Sequence, residues 1–157
     1  MLGFKRVLAI FAVLSALVWA GSAAVQANPN NRMPLVVGDL SGNFCGKAVG
    51  PILLHIDAKE YFKIYATKDG GTRMEVNGRA FVTVTTGRKS LVFNASGPGT
   101  VYFAHDGSLL SVVSRGQVFY IGTNGGLWVF EGHIVTDPAG NLVATTGHVT
   151  DVCALLS

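Results

Sequence analysis

The chain has 157 residues and a formal net charge of +3, and only 13% of its residues are charged while 49% are hydrophobic. This length suits one domain with its own apolar core. The cations are scattered along the chain, whereas binding to a phosphate backbone needs clustered Lys and Arg. Composition therefore makes nucleic acid a poor partner.

The first 27 residues have the pattern of a secretory signal peptide. Lys5 and Arg6 form a cationic start, and an uncharged apolar run follows. Val25 and Ala27 are small residues at the positions that precede a cut, which predicts cleavage after Ala27. The alternative is an uncleaved membrane anchor, because the run approaches the roughly 20 residues that span a bilayer. We expect an exported, extracellular protein with no membrane span once the leader is removed.

Cleavage at this position would remove most of the apparent basicity. The remaining chain carries ten Lys and Arg against nine Asp and Glu, a net charge of about +1. Residues 28–50 contain prolines and glycines and are predicted to be irregular. Residues 51–157 are predicted to form one antiparallel β domain.

Cys45 and Cys153 are the two cysteines of the chain. An even number of cysteines in an exported protein predicts a disulfide, here between the start and the end of the mature domain. The alternatives are two buried free thiols or a thiol nucleophile. Neither a Cys-x-x-Cys spacing nor a cationic neighbour supports a reactive thiolate.

Strand-like segments separated by glycine-containing turns make up the body of the chain. They are residues 51–57, 60–66, 72–76, 79–86, 89–94, 100–106, 108–114, 117–123, 127–136 and 141–147. Asn-Gly and Asp-Gly pairs are the strongest short hairpin signal. The sequence predicts an all-β antiparallel meander of about ten short strands, as a sandwich or a closed up-and-down barrel. No helix is predicted beyond the leader.

Three turns predict a four-stranded meander between residues 100 and 136. They are Asp106-Gly107, Arg115-Gly116 and Asn124-Gly125. Because side chains alternate between faces of a strand, these turns place one apolar set on a single face. That set is Val101, Phe103, Leu110, Val112, Phe119, Ile121, Trp128 and Phe130. The last turn pairs Phe119 with Phe130 and Ile121 with Trp128.

The chain nearly repeats one phrase, Gly132-His133 and Gly147-His148, each followed by an aspartate. A turn at 137–140 would hold the two histidines three or four residues apart along the ladder, about 10 Å at about 3.3 Å per residue. Metal–imidazole bonds are about 2.1 Å long. The repeat is therefore interpreted as two similar strands, and no metal site is predicted.

No catalytic motif is recognisable. The serines lie in ordinary strand or turn positions, a Gly-x-Ser-x-Gly elbow is missing, and the acids are spread thinly. No catalytic residue and no cofactor is predicted. Asn94-Ala95-Ser96 matches a glycosylation sequon, which matters only in a host that glycosylates secreted chains.

Tyr61, Lys63 and Tyr65 are the candidate binding residues. They alternate with Phe62 and Ile64, so they share one face of their strand. An exposed Tyr-Lys-Tyr ladder could hold a carbohydrate or a peptide, and cross-strand packing is the alternative.

The segments FNASGPGTVYF and GHVTDVC resemble a group of small exported actinobacterial-type proteins without an assigned activity. The resemblance covers about the C-terminal two-fifths of the chain. It implies an extracellular setting and a disulfide at Cys153, and it supplies no catalytic residues.

We therefore expect a secreted, non-catalytic binding or structural module of the extracellular space or cell envelope, with a protein, glycan or small apolar ligand as partner. The alternatives are a carrier of a small apolar ligand inside a barrel and an extracellular hydrolase. The carrier predicts a cavity lined by Phe103, Phe119 and Phe130. The hydrolase predicts that at least two histidines converge with an acid.

Overall fold

The computed structural model describes residues 32–123 and 125–157, so the predicted leader at 1–27 lies outside the described residues. Antiparallel strands dominate this part of the chain, as the sequence predicts. The elements are β1 Met33–Leu35, β2 Leu40–Gly42, β3 Ile52–Ala66, β4 Thr72–Thr85, β5 Ser90–Asn94, β6 Gly99–Phe103, β7 Leu109–Ile121, β8 Leu127–Thr136, β9 Leu142–Asp151 and the helix α1 Val152–Leu156.

All nine described strands belong to one sheet, in the order β1-β3-β4-β6-β7-β8-β9. The long strands β3 and β4 each have two partners on one side: β2 pairs with the first half of β3, and β5 with the second half of β4. The sheet is not closed into a barrel, since the described β1 and β9 do not pair. The barrel alternative is therefore wrong for the described part of the chain.

The sheet folds over on itself into two layers. Side chains of β3 and β4 pack against side chains of β7 and β8, although these strand pairs are not neighbours in the sheet. The rings of Phe93 on β5 and Phe119 on β7 lie 5.9 Å apart across the layers. We call this cluster the disulfide-end core: Ile52, Leu54, Val82, Val84, Phe119, Ile121, Leu127, Val129, Val152 and Leu156.

Two glycines that the sequence predicts as turns lie inside long strands instead. Gly78 is within β4 opposite Glu60, and Gly116 is within β7 opposite Gly132. The predicted four-stranded meander therefore has three strands, β6 to β8. Gly116 has a positive φ of 79°. A glycine with such a φ can form a bend inside a strand as well as a turn between strands.

The predicted register between β7 and β8 is wrong by one residue. Phe119 lies opposite Val129, and Ile121 lies opposite Leu127. The connection spans five residues, closed by the bond from the Gly122 amide to the Gly126 carbonyl, and not the predicted two-residue loop. Because a one-residue slip reverses the faces, Trp128 and Phe130 point away from the disulfide-end core. The predicted pair of Val101 and Val112 is confirmed.

A line of glycines bends the β7–β8–β9 meander. Gly132 pairs with Gly116 on one side and with Gly147 on the other. Beyond this line the β8–β9 hairpin folds back, since the Tyr120 hydroxyl donates to the Gly140 carbonyl at 2.7 Å. A straight ladder would separate those two residues by more than about 25 Å, at about 3.3 Å per residue.

The fold-back buries a second apolar cluster, the bend core, which comprises Val118, Tyr120, Phe130 and Ile134. A third cluster, the β1-end core, comprises Leu35, Phe62, Met74, Val101 and Val112. Phe130 therefore belongs to a different cluster from Phe119, although the sequence predicts both on one face. Residues 28–50, predicted to be irregular, contribute the two short strands β1 and β2.

The predicted disulfide between Cys45 and Cys153 is confirmed. It holds α1, which the sequence does not predict, against the disulfide-end core, where Val152 and Leu156 are buried. The Asp151 carboxylate accepts from the Ala154 amide at 3.0 Å and caps the helix. A five-residue helix with two buried apolar residues is too short for a periodic signal.

Replacing Tyr120 with Phe is expected to lower the free energy of unfolding by about 1 kcal/mol, because the bond to Gly140 is lost at a site that is 4% exposed. Urea denaturation followed by tryptophan fluorescence measures this. The control is Tyr61→Phe, whose side chain is exposed, and we expect a change within about 0.5 kcal/mol. Equal effects of the two variants would contradict the fold-back contact.

Candidate functional site

The predicted binding residues Tyr61, Lys63 and Tyr65 lie on the outward face of β3. Their cross-strand partners on β4 are Asn77, Glu75 and Arg73, and β4 in turn pairs with β6, where Thr100 and Tyr102 follow. We call these eight residues the aromatic–cationic face. Strand alternation explains it, because Phe62, Met74 and Val101 from the same strands are buried in the β1-end core beneath.

Two arginines lie over tyrosine rings of this face. The Arg73 guanidinium carbon is 4.9 Å from the centre of the Tyr65 ring, and its Nη2 lies 3.1 Å from Glu75. Arg32, just before β1, is 5.2 Å from the centre of the Tyr61 ring. Such cation–π contacts position both partners while leaving part of each exposed. Sequence reasoning did not identify Arg32, Arg73 and Tyr102, because it derived no register for β3 with β1 and β4, or for β4 with β6.

The outward face continues past the binding residues. Lys59 lies opposite Arg79, whose Nη2 contacts Asp57 at 3.2 Å. We call the aromatic–cationic face together with Arg32, Asp57, Lys59 and Arg79 the extended face. It carries two acids, Asp57 and Glu75, and five cations, which are Arg32, Lys59, Lys63, Arg73 and Arg79. The face is therefore net positive, although residues 28–157 as a whole are nearly neutral.

The histidines do not converge in the described structure. His133 lies opposite Thr146 and His148 lies opposite Glu131, so the two histidines are two residues apart along the ladder and not the predicted three or four. No group of three His, Cys, Asp or Glu side chains within residues 32–123 and 125–157 could hold a metal ion. In the repeated phrase it is the glycines that have a structural role, since Gly132 and Gly147 are direct cross-strand partners at the bend.

One histidine has an acidic partner that the sequence does not indicate. His55 Nδ1 lies 2.9 Å from Asp39 Oδ1, which also accepts from the Ile56 amide at 3.3 Å. The His55 side chain and then the Ile56 amide hold the pKa of Asp39 below its ordinary value. Both side chains are about half exposed, so this pair fixes the loop before β2 at the protein surface.

Hydrogen bonds lower the pKa values of four aspartates, Asp39, Asp69, Asp106 and Asp137. At Asp137 the Asn141 side chain is the largest cause. A lowered folded-state pKa contributes stability above the ordinary value of 3.8 that is lost as the pH falls through the folded pKa. We expect Asp137→Asn to be less stable than wild type at pH 7, with the difference shrinking below pH 3.8.

Urea midpoints of the wild type and of Asp137→Asn across this pH range test the linkage. Asp57→Asn is a suitable comparison, because its partner Arg79 is at the exposed surface. The ordinary titration of Asp lies between about pH 2.5 and about pH 7. A wild-type stability advantage that is the same at these two pH values would therefore contradict the role of Asp137.

The cavity that the sequence predicts for a ligand carrier is not formed as expected. Phe119 lies in the disulfide-end core, Phe130 in the bend core, and Phe103 packs against the β1-end core. The register slip and the bend separate the three rings, so they do not line a common space.

No family model, curated protein or solved structure matches the chain. In the described part of the chain, no helix has the length and apolar character needed to cross a membrane.

Proposed function

We propose that the protein is an exported, non-catalytic module that binds an acidic extracellular glycan through the aromatic–cationic face. The observation that carries this proposal is the cross-strand array of three tyrosines with Lys63 and Arg73 on one outward face. The signal-peptide pattern of residues 1–27 supports export, and the disulfide is typical of oxidising compartments.

A glycan fits this face better than a peptide does. Extended peptides add to sheet edges, where free backbone groups offer main-chain hydrogen bonds. Strands β4 and β6 are paired on both sides at this face, and β3 pairs with β1 at residues 60–62, so side chains are the main groups presented. Tyrosine rings can stack on the C–H faces of sugar rings, and exposed polar groups can bind their hydroxyls.

The excess of cations on the extended face favours a sugar polymer that carries carboxylates. Arg73 pairs with Glu75 and Arg79 pairs with Asp57, which leaves Arg32, Lys59 and Lys63 without an acidic partner on the face. Exposed charges guide association and are screened by salt. Binding is therefore expected to weaken as ionic strength rises.

Titration calorimetry of the mature protein with a soluble polyuronate tests the proposal. We expect Tyr61→Ala/Tyr65→Ala to weaken binding by about five- to 150-fold, because stacking contacts of aromatic rings contribute about 0.5–1.5 kcal/mol each. Lys63→Ala is expected to weaken it several-fold. Lys47→Ala removes an exposed cation elsewhere and is expected to leave binding unchanged.

Two further probes separate the proposal from its competitors. A neutral glucan of equal length is expected to bind at least about tenfold more weakly than the polyuronate, because it lacks carboxylates. Poly-glutamate lacks sugar rings. Equal affinity for poly-glutamate and polyuronate would show a response to charge alone and would overturn the glycan proposal, as would binding that survives the tyrosine substitutions.

Mass spectrometry of the exported protein before and after reduction tests the proposed location. We expect a mature chain that begins at Asn28, with a mass that rises by two hydrogens when Cys45 and Cys153 are reduced. A retained leader in the membrane fraction would contradict cleavage after Ala27.

A further inference from the structure

A small cavity lies between the two layers, at the level where the long strands bend. Its volume is about 90 Å³, and it is partly open to solvent. The apolar walls are formed by Ile56, Val76, Ala80, Val82, Val101 and Phe119. It therefore joins the disulfide-end core and the β1-end core, and Phe119 is its one aromatic wall.

A buried hydroxyl without a partner lines this cavity. Ser114 on β7 is 2% exposed, and its Oγ makes no hydrogen bond to any described residue. A buried polar group without a partner costs about 1–3 kcal/mol, so native proteins seldom retain one without a reason. Its position in the cavity wall makes it available to a molecule that enters.

An acid lines the same cavity. Glu60 on β3 is half-buried, and it is the one titratable side chain among the described residues of the wall. Burial raises the pKa of its carboxyl, with no contribution from a hydrogen bond or a neighbouring charge. The carboxylate thus loses hydration without gaining a counter-ion, which is unfavourable in a low-dielectric environment.

We propose that this cavity binds a small aliphatic ammonium ion, with the ammonium between Glu60 and Ser114 and the alkyl chain against the apolar wall. The wall offers oxygen acceptors and no cationic side chain, so a donor-rich cation complements it. A cavity of about 150 Å³ accommodates benzene. The smaller volume here encloses about three to four heavy atoms, the nitrogen included, and the end of a longer alkyl chain can extend through the opening.

Ordered waters are the competing occupants, since a water needs only about 10–15 Å³ of such space. They would satisfy Ser114 and leave the Glu60 charge without a counter-ion. The ammonium satisfies both groups at once. This site faces away from the aromatic–cationic face, and neither proposal depends on the other.

NMR titration of the mature protein with n-butylammonium tests the site. We expect saturable shifts of the Ala80, Val101 and Ser114 amides in the wild type. Glu60→Gln keeps the side-chain shape and is expected to weaken binding at least about tenfold, in line with charge-assisted hydrogen bonds being roughly twice as strong as neutral ones. Glu75→Gln, on the outward face, is the matched control and is expected to leave binding unchanged.

n-Butanol, similar in shape and uncharged, is expected to bind at least about tenfold more weakly than n-butylammonium. Equal binding of the two compounds, or unchanged affinity in Glu60→Gln, overturns the proposal. So does the absence of saturable shifts with either compound, which would assign the cavity to water. Because the wild-type shifts map the site independently, a folding defect in a variant does not obscure the result.

Discussion

Removal of the disulfide by Cys45→Ala/Cys153→Ala is expected to lower the free energy of unfolding by about 4–5 kcal/mol. The two cysteines are separated by 108 residues, so the bond closes a loop over most of the described chain. Restricting a loop of about 100 residues in the unfolded state is expected to contribute about 4.7 kcal/mol. The substitution also releases α1, whose Val152 is fully buried in the disulfide-end core.

Urea denaturation of the double variant, beside the wild type with and without reductant, measures this effect. Reduced wild type and the double variant are expected to unfold at similar urea concentrations, because both lack the crosslink. A decrease below about 1 kcal/mol would mean that the crosslink adds little beyond an ordinary point substitution.

Gly132→Ala is expected to destabilise the protein by about 3 kcal/mol or more, because a side chain there collides with backbone atoms. A Cβ at this position would collide with the Thr146 carbonyl oxygen and would lie 2.9 Å from the Gly147 Cα. Backbone atoms of a paired strand cannot move aside as a flexible side chain can, so β9 would have to separate from β8 or the bend would have to open.

Gly87→Ala is the matched control, since a Cβ there meets no atom within 4 Å. Its effect is expected to stay within about 0.5 kcal/mol. Thermal unfolding of both variants, with the near-ultraviolet circular dichroism of Trp128 as a local probe, compares them. Similar stabilities of the two variants would show that the sheet does not need the close approach at Gly132.

The turns differ in how well local sequence predicts them. The turn at 137–140 forms as expected, because the Asp137 carboxylate accepts from the Asn141 amide at 2.9 Å within the turn itself. Gly116 has a positive φ of 79°, similar to the 83° of Gly140 in that turn, but it lies inside β7, where it pairs with Gly132 of β8. Whether a glycine with positive φ ends a strand or bends it depends on the strand that pairs with it.

The part of the candidate binding face that lies on β3 could be predicted from the sequence, whereas the part on β6 could not. Alternation places Tyr61, Lys63 and Tyr65 on one side of β3 whatever the strand pairs with. The position of Tyr102 depends on β6 pairing with the first half of β4, while β5 pairs with the second half. This division of one long strand between two partners has no local sequence signal, because the chain must skip β5 to form it.

The sequence by itself determined the antiparallel all-β class, the alternation of each strand and the identity of the crosslinked cysteines, because these follow from periodicity, turn chemistry and cysteine number. Tertiary structure alone decided the bend at Gly116, Gly132 and Gly147 and the cavity that brings Glu60 and Ser114 into one wall. These two residues lie on different strands that are not neighbours in the sheet. Only the folding of one layer over the other encloses them in a common space.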